Sequence, residues 1–110
     1  QKLDAGGLVK TLYDIALDRK TEGVKRGIVL NAICEVSAKD RVGDLLPLLD
    51  ETVVIVPTPR HPDWDWRLCD HAASAMGRLL GWEFDGKLVT EPAQREKLIN
   101  KLRNWAKSQP

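Results

Sequence analysis

The chain has 110 residues, of which 43% are hydrophobic and 30% charged, with six prolines and eight glycines. This composition excludes collagen-like and low-complexity proteins and argues against wholesale disorder, and the length fits one domain with its own core. Lys and Arg number 17 against 16 Asp and Glu, so the bulk charge does not direct the protein to nucleic acid or to anionic lipid.

No apolar run approaches the roughly 20 residues that a membrane-spanning helix needs, and no signal-peptide pattern is present. The sequence therefore predicts a soluble chain. It begins at Gln1 rather than at a methionine, which we interpret as the mark of a processed or excised piece, so no localisation is predicted. Cys34 and Cys69 lack metal-type C-x-x-C spacing and lie in apolar helical settings, which predicts two buried thiols.

Two amphipathic helices are predicted in the first third of the chain. In the first, over about residues 7–19, apolar residues recur with the 3.6-residue period of a helix; they are Leu8, Val9, Leu12, Tyr13, Ile15 and Ala16. The second, over about residues 21–36, begins at Thr21 as an N-cap. Its predicted buried face comprises Val24, Ile28, Val29, Ala32, Ile33 and Val36. The connection is short, so the two helices should form an antiparallel hairpin.

A short third helix is predicted from Asp40, with a buried side formed by Val42, Leu45, Leu46, Leu48 and Leu49. Pro47 removes a backbone donor inside this helix and should shorten or kink it. An insertion follows at residues 52–65. Its β-branched run Val53–Val56 could form a short strand, but the three prolines after it are incompatible with a helix or a central strand. We therefore predict an extended loop.

Helical periodicity returns at Trp66. One face of the predicted fourth helix carries Cys69, Ala72, Ala73, Met76, Leu79 and Leu80, and Gly81 follows where a left-handed C-terminal cap is expected. A connector with a turn at Asp85–Gly86 leads to a fifth helix, which has Thr90 as its cap and Pro92 in its first turn. Its apolar face comprises Leu98, Ile99, Leu102 and Trp105. The predicted fold class is therefore all-α.

The order of the helices repeats with a period near 40 residues, which is typical of HEAT and armadillo solenoids. The segments DLLPLLDE and LCDHAASAMGRLLG resemble the HEAT-like repeat of bacterial proteins, including that of phycobilisome lyase subunits, whose second helix carries a motif close to V-R-x-x-A-x-x-A-L-G-x-L. The motif positions are occupied by Leu68, Ala72, Ala75, Met76, Gly77 and Leu79. Cys69 replaces the usual Arg. In the first half, GVKRGIVLNAI matches at Val24 and Lys25 but places Ile28 and Asn31 at the alanine positions.

This resemblance implies a single HEAT-like domain over residues 1–110, built as an α-solenoid-like stack of two helical hairpins plus a C-terminal helix. Repeat one covers about residues 8–37 and repeat two about residues 40–81, with the proline-rich loop inserted in the second. The terminal helix covers about residues 92–107. The small residues Ala72, Ala75 and Gly77 are expected to form the seam at which one helix pair nests against its predecessor.

Both histidines lie in the crowded stretch after the prolines. Imidazole and carboxylate are common metal ligands, so His61, Asp63 and His71 could form a metal or catalytic site. The spacing matches no pattern such as H-E-x-x-H, and the sequence contains no nucleophile elbow or phosphate-binding glycine loop. The simpler interpretation is that Asp63 or Asp65 caps the helix that follows.

The other polar residues of this stretch also have structural interpretations. Trp64 and Trp66 can cover the inserted loop or fasten it to the fourth helix. Arg67 is spaced to meet Asp70 or His71 on one helix face. Asp70 could also hold the loop backbone.

We therefore predict a non-enzymatic protein–protein interaction scaffold without metal or cofactor. Its candidate contact patch comprises Arg60, His61, Trp64, Trp66 and Arg67, because Trp and Arg dominate interface energies. The alternative is a subunit of a lyase-like enzyme, or a metal-binding protein, that uses the region of His61, Asp63 and His71. Nucleic-acid binding through the basic last helix is less favoured by the near-neutral charge; it would use Arg95, Lys97, Lys101, Arg103 and Lys107. The partner and the oligomeric state are not predicted.

Overall fold

A computed structural model of the chain describes residues 5–36, 39–82 and 91–109. The fold is all-α apart from one short two-stranded ribbon in these residues. The α-helices are α1 (Ala5–Leu17), α2 (Gly23–Glu35), α3 (Leu68–Leu79) and α4 (Pro92–Lys107). Within the described ranges, no helix has the length and apolar character required to cross a membrane. The predicted turn at Asp85–Gly86 and the predicted cap Thr90 lie outside the described residues.

The first two helices form the predicted hairpin, but α2 buries a different face from the one that its sequence predicts. The residues between the helices are held by Asp18, whose side chain accepts hydrogen bonds from the backbone N–H of Lys20 and the hydroxyl of Thr21, both at 2.9 Å. The buried side chains of α2 include Arg26, Val29, Leu30 and Ile33. The predicted members Val24, Ile28 and Val36 are exposed, and the helix begins after Glu22 without a side-chain cap. The prediction of this face was therefore wrong in part.

The third helix is a 3₁₀ segment, Lys39–Asp50, rather than an α-helix. Pro47 lies inside it, and Arg41 departs from helical geometry, with φ −116° and ψ 19°. The kink at Arg41 lies six residues before Pro47, so it is not a local effect of the proline. Four of the five residues predicted on the apolar side are buried, Val42, Leu45, Leu48 and Leu49, and the fifth, Leu46, is partly buried.

A short antiparallel ribbon pairs β1 (Val54–Val56), which lies in the insertion, with β2 (Trp66–Arg67), which follows it directly. Val54 is paired with Arg67 and Val56 with Trp66, and the register shifts between the two pairs. A single 3₁₀ turn, Pro62–Trp64, lies between the strands. The prediction of a wholly extended loop was therefore wrong at Val54–Val56. The predicted start of the fourth helix at Trp66 was also wrong, because Trp66 and Arg67 form β2 and α3 begins at Leu68.

Helix α3 occupies the centre of the core. It packs against α2 on one side and against the 3₁₀ segment and α4 on others, while α1 packs against α2 and the 3₁₀ segment. Ala72, Ala75 and Gly77 are all buried, and the absence of long side chains there allows neighbouring helices to approach. The chain leaves α3 through Gly81 at φ 77°, which confirms the predicted left-handed cap.

A buried ion pair connects α2 to Glu51, directly after the 3₁₀ segment. Arg26 of α2 is 2% exposed, and its Nε donates to the carbonyl oxygen of Ala16 at 2.9 Å. Its terminal nitrogens donate to both carboxylate oxygens of Glu51, and this hydrogen bonding holds the pKa of Glu51 below its usual value. The backbone oxygen of Glu51 in turn accepts from the N–H of Cys69 at 2.8 Å. One guanidinium group therefore connects the end of α1 to the start of α3.

Candidate interaction site

An apolar groove lies between α2 and the ribbon. It has a volume of about 240 Å³ and is lined by Val24, Gly27, Ile28, Asn31, Ile55, Val56, Trp66 and His71. We call it the apolar groove. Val24, Ile28 and Val56 on its walls are exposed, Ile28 to 63%. A contiguous group of exposed apolar side chains commonly marks a binding surface in proteins, and here it arises because the apolar residues of α2 cover more of the helix than the core can bury.

Two glycines of α2 form the contact between this helix and the ribbon. A Cβ atom at Gly23 would lie 2.9 Å from Cγ2 of Ile55, and one at Gly27 would lie 3.2 Å from its Cδ1. Any larger residue at Gly23 would therefore require the side chain of Ile55, or the strand that carries it, to shift. These glycines let the Ile55 side chain lie against the helix backbone, and this contact sets the width of the apolar groove. This role was not predicted from the sequence, although the four-residue spacing of the glycines in GVKRG is a visible signal.

The end of the groove is formed by a hydrogen-bonded row of three side chains. The indole Nε1–H of Trp66 donates to Nδ1 of His71 at 2.9 Å, and Nε2 of His71 lies 2.9 Å from Oδ1 of Asn31. Since Nδ1 accepts a hydrogen bond, the neutral ring carries its proton on Nε2 and donates it to Asn31. Burial lowers the pKa of His71, which also favours this neutral form.

Asp70 is buried beneath the ribbon and organises two arginines. Its carboxylate accepts from the backbone N–H, Nε and a terminal nitrogen of Arg67, each at 3.0 Å, and lies 3.4 Å from a terminal nitrogen of Arg95. The hydrogen bonds to Asp70 raise the pKa of Arg67. Asp70 therefore caps the start of α3 and pairs with Arg67, as two of the sequence interpretations proposed. The prediction that Asp63 or Asp65 caps this helix was wrong.

Arg95 of α4 holds the inserted segment in place. It is 4% exposed, and its terminal nitrogens donate to the backbone oxygens of Asp65 at 2.7 Å and Trp64 at 3.1 Å. Its guanidinium carbon lies 4.9 Å from the centre of the Trp66 ring. Nε of Arg95 has no hydrogen-bond partner in the described part of the chain. The sequence could not distinguish this buried arginine from the exposed basic residues of α4.

A second groove lies between the inserted segment and α4. It has a volume of about 540 Å³ and is lined by Val54, Pro62, Asp63, Trp64, Asp65, Arg67, Pro92, Arg95 and Glu96; we call it the loop groove. The carboxylate of Asp65 accepts a hydrogen bond from the N–H of Thr58 at 2.5 Å. This hydrogen bond connects the two ends of the loop between Thr58 and Asp65. The Trp64 side chain, 42% exposed, lies on the wall of the loop groove.

The five predicted contact residues therefore fall into two groups. Arg60, His61 and Trp64 are exposed on the inserted segment. Trp66 and Arg67 are partly buried, and their side chains are engaged by His71 and Asp70. The first group is accessible to a partner, whereas the second group supports the surface from below.

The residues of the metal and enzyme alternative do not share one cavity. Asp63 lines the loop groove, whereas His71 lines the apolar groove. Within residues 5–36, 39–82 and 91–109, no three His, Cys, Asp or Glu side chains gather where a metal ion could be held. Cys34 and Cys69 are free thiols, and burial raises the pKa of Cys69 to about 11, which keeps it protonated and unreactive.

The basic residues of α4 do not form one free cationic face. Arg95 is buried beneath the inserted segment. The ammonium group of Lys101 lies 4.3 Å from the centre of the Trp82 ring, and Arg103 donates to the carboxylate of Asp50 at 2.8 Å. Three of the five candidate nucleic-acid contacts are thus engaged within the chain.

Comparison with models of known protein families, with curated proteins and with solved structures found no match.

Proposed function

We propose that the protein is a non-enzymatic interaction scaffold that binds another protein through the apolar groove and the neighbouring inserted segment. The observation that carries this proposal is the exposure of Val24, Ile28 and Val56 around one groove. These side chains would lose contact with water on binding, at a gain of about 25 cal/mol for each Å² of apolar surface covered. Arg60, His61 and Trp64 extend the contact surface along the inserted segment.

We further propose that the fold is a short HEAT-like stack. The chain contains two helix pairs, α1 with α2 and the 3₁₀ segment with α3. The first helix of one pair packs on the first of the other, α1 on the 3₁₀ segment, and the second packs on the second, α2 on α3. The burial of Ala72, Ala75 and Gly77 supports close packing of the second pair. Stacked helix pairs expose a broad surface that suits protein binding, and the outer face of α2 is part of this surface.

The proposal is tested by placing a photoreactive benzoylphenylalanine at Val24 in the cellular protein. We expect irradiation to give an adduct of the chain with a second, different protein, which mass spectrometry identifies. Ile28→Gln in the same protein should strongly reduce the adduct without lowering the melting temperature, because Ile28 is largely exposed and contributes little to the core.

A matched control is available on α1. Leu8 is also an exposed apolar residue, but it does not line the apolar groove. Leu8→Gln should leave the adduct at Val24 unchanged. Equal yields with Ile28→Gln and Leu8→Gln, or an adduct only with a second copy of this chain, would contradict the proposal.

A further inference from the structure

The loop groove differs from the apolar groove in its charge. Asp63, Asp65 and Glu96 line it, and the carboxylate of Asp70 is buried beneath it. Its two guanidinium groups belong to Arg67 and Arg95, and both of them contact Asp70. The groove and the layer beneath it therefore hold four carboxylates and two guanidinium groups, and both guanidinium groups are already paired with Asp70. The charge left over in this groove is negative.

The rim carboxylates are available to a ligand to different degrees. Asp63 is exposed and has no hydrogen-bond or ion-pair partner among the residues that the structure describes. Glu96 is 60% exposed and makes only a long contact, 3.4 Å, to a terminal nitrogen of Arg67. Asp65 is occupied by the N–H of Thr58. Asp63 and Glu96 are therefore the two anionic groups that an incoming cation would meet.

The aromatic wall of the groove favours the same kind of ligand. Cations already lie over three other rings of the described chain: Arg41 over Tyr13, Arg95 over Trp66 and Lys101 over Trp82, at 4.3–4.9 Å from the ring centres. No such contact covers Trp64 in the described residues. An indole face is the best aromatic acceptor for a cation, and a cation on Trp64 would lie in the same groove as the two rim carboxylates.

We propose that the loop groove receives an arginine or lysine side chain from the partner protein, held against the Trp64 ring and paired with Asp63 and Glu96. This inference rests on the proposed interaction function and specifies the chemistry of the partner. The groove is large enough for a long side chain and for the segment of peptide that carries it. An acidic or a purely apolar segment would leave its carboxylates unpaired on burial, which is unfavourable.

The test is an NMR titration of the isotope-labelled protein with N-acetylargininamide. Its matched control is N-acetylcitrullinamide, which has nearly the same shape without the charge. We expect the argininamide to shift the indole resonance of Trp64 and the amides around Asp63 and Glu96, and the citrullinamide to have a much smaller effect. Equal shifts with both compounds, or none near Trp64 with either, would overturn the proposal.

Two variants locate the binding chemistry. Asp63→Asn and Trp64→Leu should each weaken argininamide binding by about twofold to fivefold, which corresponds to the usual strength of one exposed ion pair or cation–π contact. Asp14→Asn removes an exposed carboxylate from α1 and should change nothing. Undiminished binding in both groove variants, with the fold intact by circular dichroism, would also overturn the proposal.

The two proposals can fail separately. If a partner forms adducts at Val24 but argininamide does not bind near Trp64, the cation inference alone is wrong. If argininamide binds as expected but the adduct does not depend on Ile28, the proposed role of the apolar groove is wrong.

Discussion

Replacing Glu51 by Gln should destabilise the fold far more than replacing its neighbour Asp50 by Asn. Each residue pairs with an arginine, Glu51 with Arg26 and Asp50 with Arg103. Arg26 is 2% exposed and Glu51 17%, whereas the exposed fractions of Arg103 and Asp50 are 47% and 70%. Removing one partner of a buried pair leaves a buried charge without compensation and costs about 3–5 kcal/mol, whereas an exposed pair contributes about 0–1 kcal/mol.

The partial exposure of Glu51 places its expected cost at or below the lower end of that range, at about 2–3 kcal/mol. For a chain of this length, 1 kcal/mol lowers the melting temperature by about 4 °C, so Glu51→Gln should lower it by about 10 °C. Asp50→Asn should lower it by less than about 4 °C. The pair Glu51→Gln and Asp50→Asn changes the same chemical group at adjacent positions, so the difference isolates burial.

Urea denaturation followed by circular dichroism gives the free energies of unfolding. The pKa of folded Glu51 is lowered chiefly by its hydrogen bond from Arg26, so the stabilisation is present above the ordinary pKa of 4.5 and is lost as the pH falls through the lower folded value. The advantage of the wild type over Glu51→Gln should therefore persist at neutral pH and shrink in acid. Equal costs for Glu51→Gln and Asp50→Asn at neutral pH would refute the reasoning.

Three further substitutions test other parts of the structure. Burial lowers the pKa of His71, so the unfolded chain binds a proton at this residue before the folded protein does, as the pH falls below about 6.5. The free energy of unfolding should therefore decrease from about pH 7.5 to about pH 5.5. The decrease should be smaller in His71→Gln, as measured by urea denaturation at these two pH values. Gly23→Ala should cost about 1–3 kcal/mol through overpacking against Ile55. In a double-mutant cycle followed by urea denaturation, this cost should be smaller in an Ile55→Ala background, where the side chain that it meets is absent. Gly81→Ala should cost about 1 kcal/mol because of its positive φ, whereas Gly43→Ala, whose Cβ meets no atom within 4 Å, should cause no loss in thermal denaturation.

The helices could be predicted because their signals are local. Apolar periodicity gave all four α-helices, Pro92 marked the start of α4, and Gly81 marked the end of α3. The third helix is irregular, but its kink lies at Arg41 and not at Pro47, where the sequence predicted it. The ribbon was missed because β2 has only two residues, which is too few for a pattern of alternation to appear.

The candidate site was less predictable because it depends on which face of α2 is buried. Val24 and Ile28 have the spacing of a core stripe, yet Arg26 lies in the core and they lie outside. Periodicity identifies an apolar face but does not show whether a neighbouring element covers it. The burial of Arg26 depends on Glu51, which is 25 positions away in the sequence, and such long-range pairs leave no local pattern.

The hydrogen bonds from Arg95 to the backbone of the inserted segment give the terminal helix a role beyond closing the core. The inserted segment is held by a side chain that lies about 30 residues further along the sequence, and is therefore synthesised after it. A chain cut before Pro92 would retain the sequence of both helix pairs but would lose this anchor and one wall of the loop groove. Truncation from the C-terminal side should therefore impair recognition even where the remaining helices still fold.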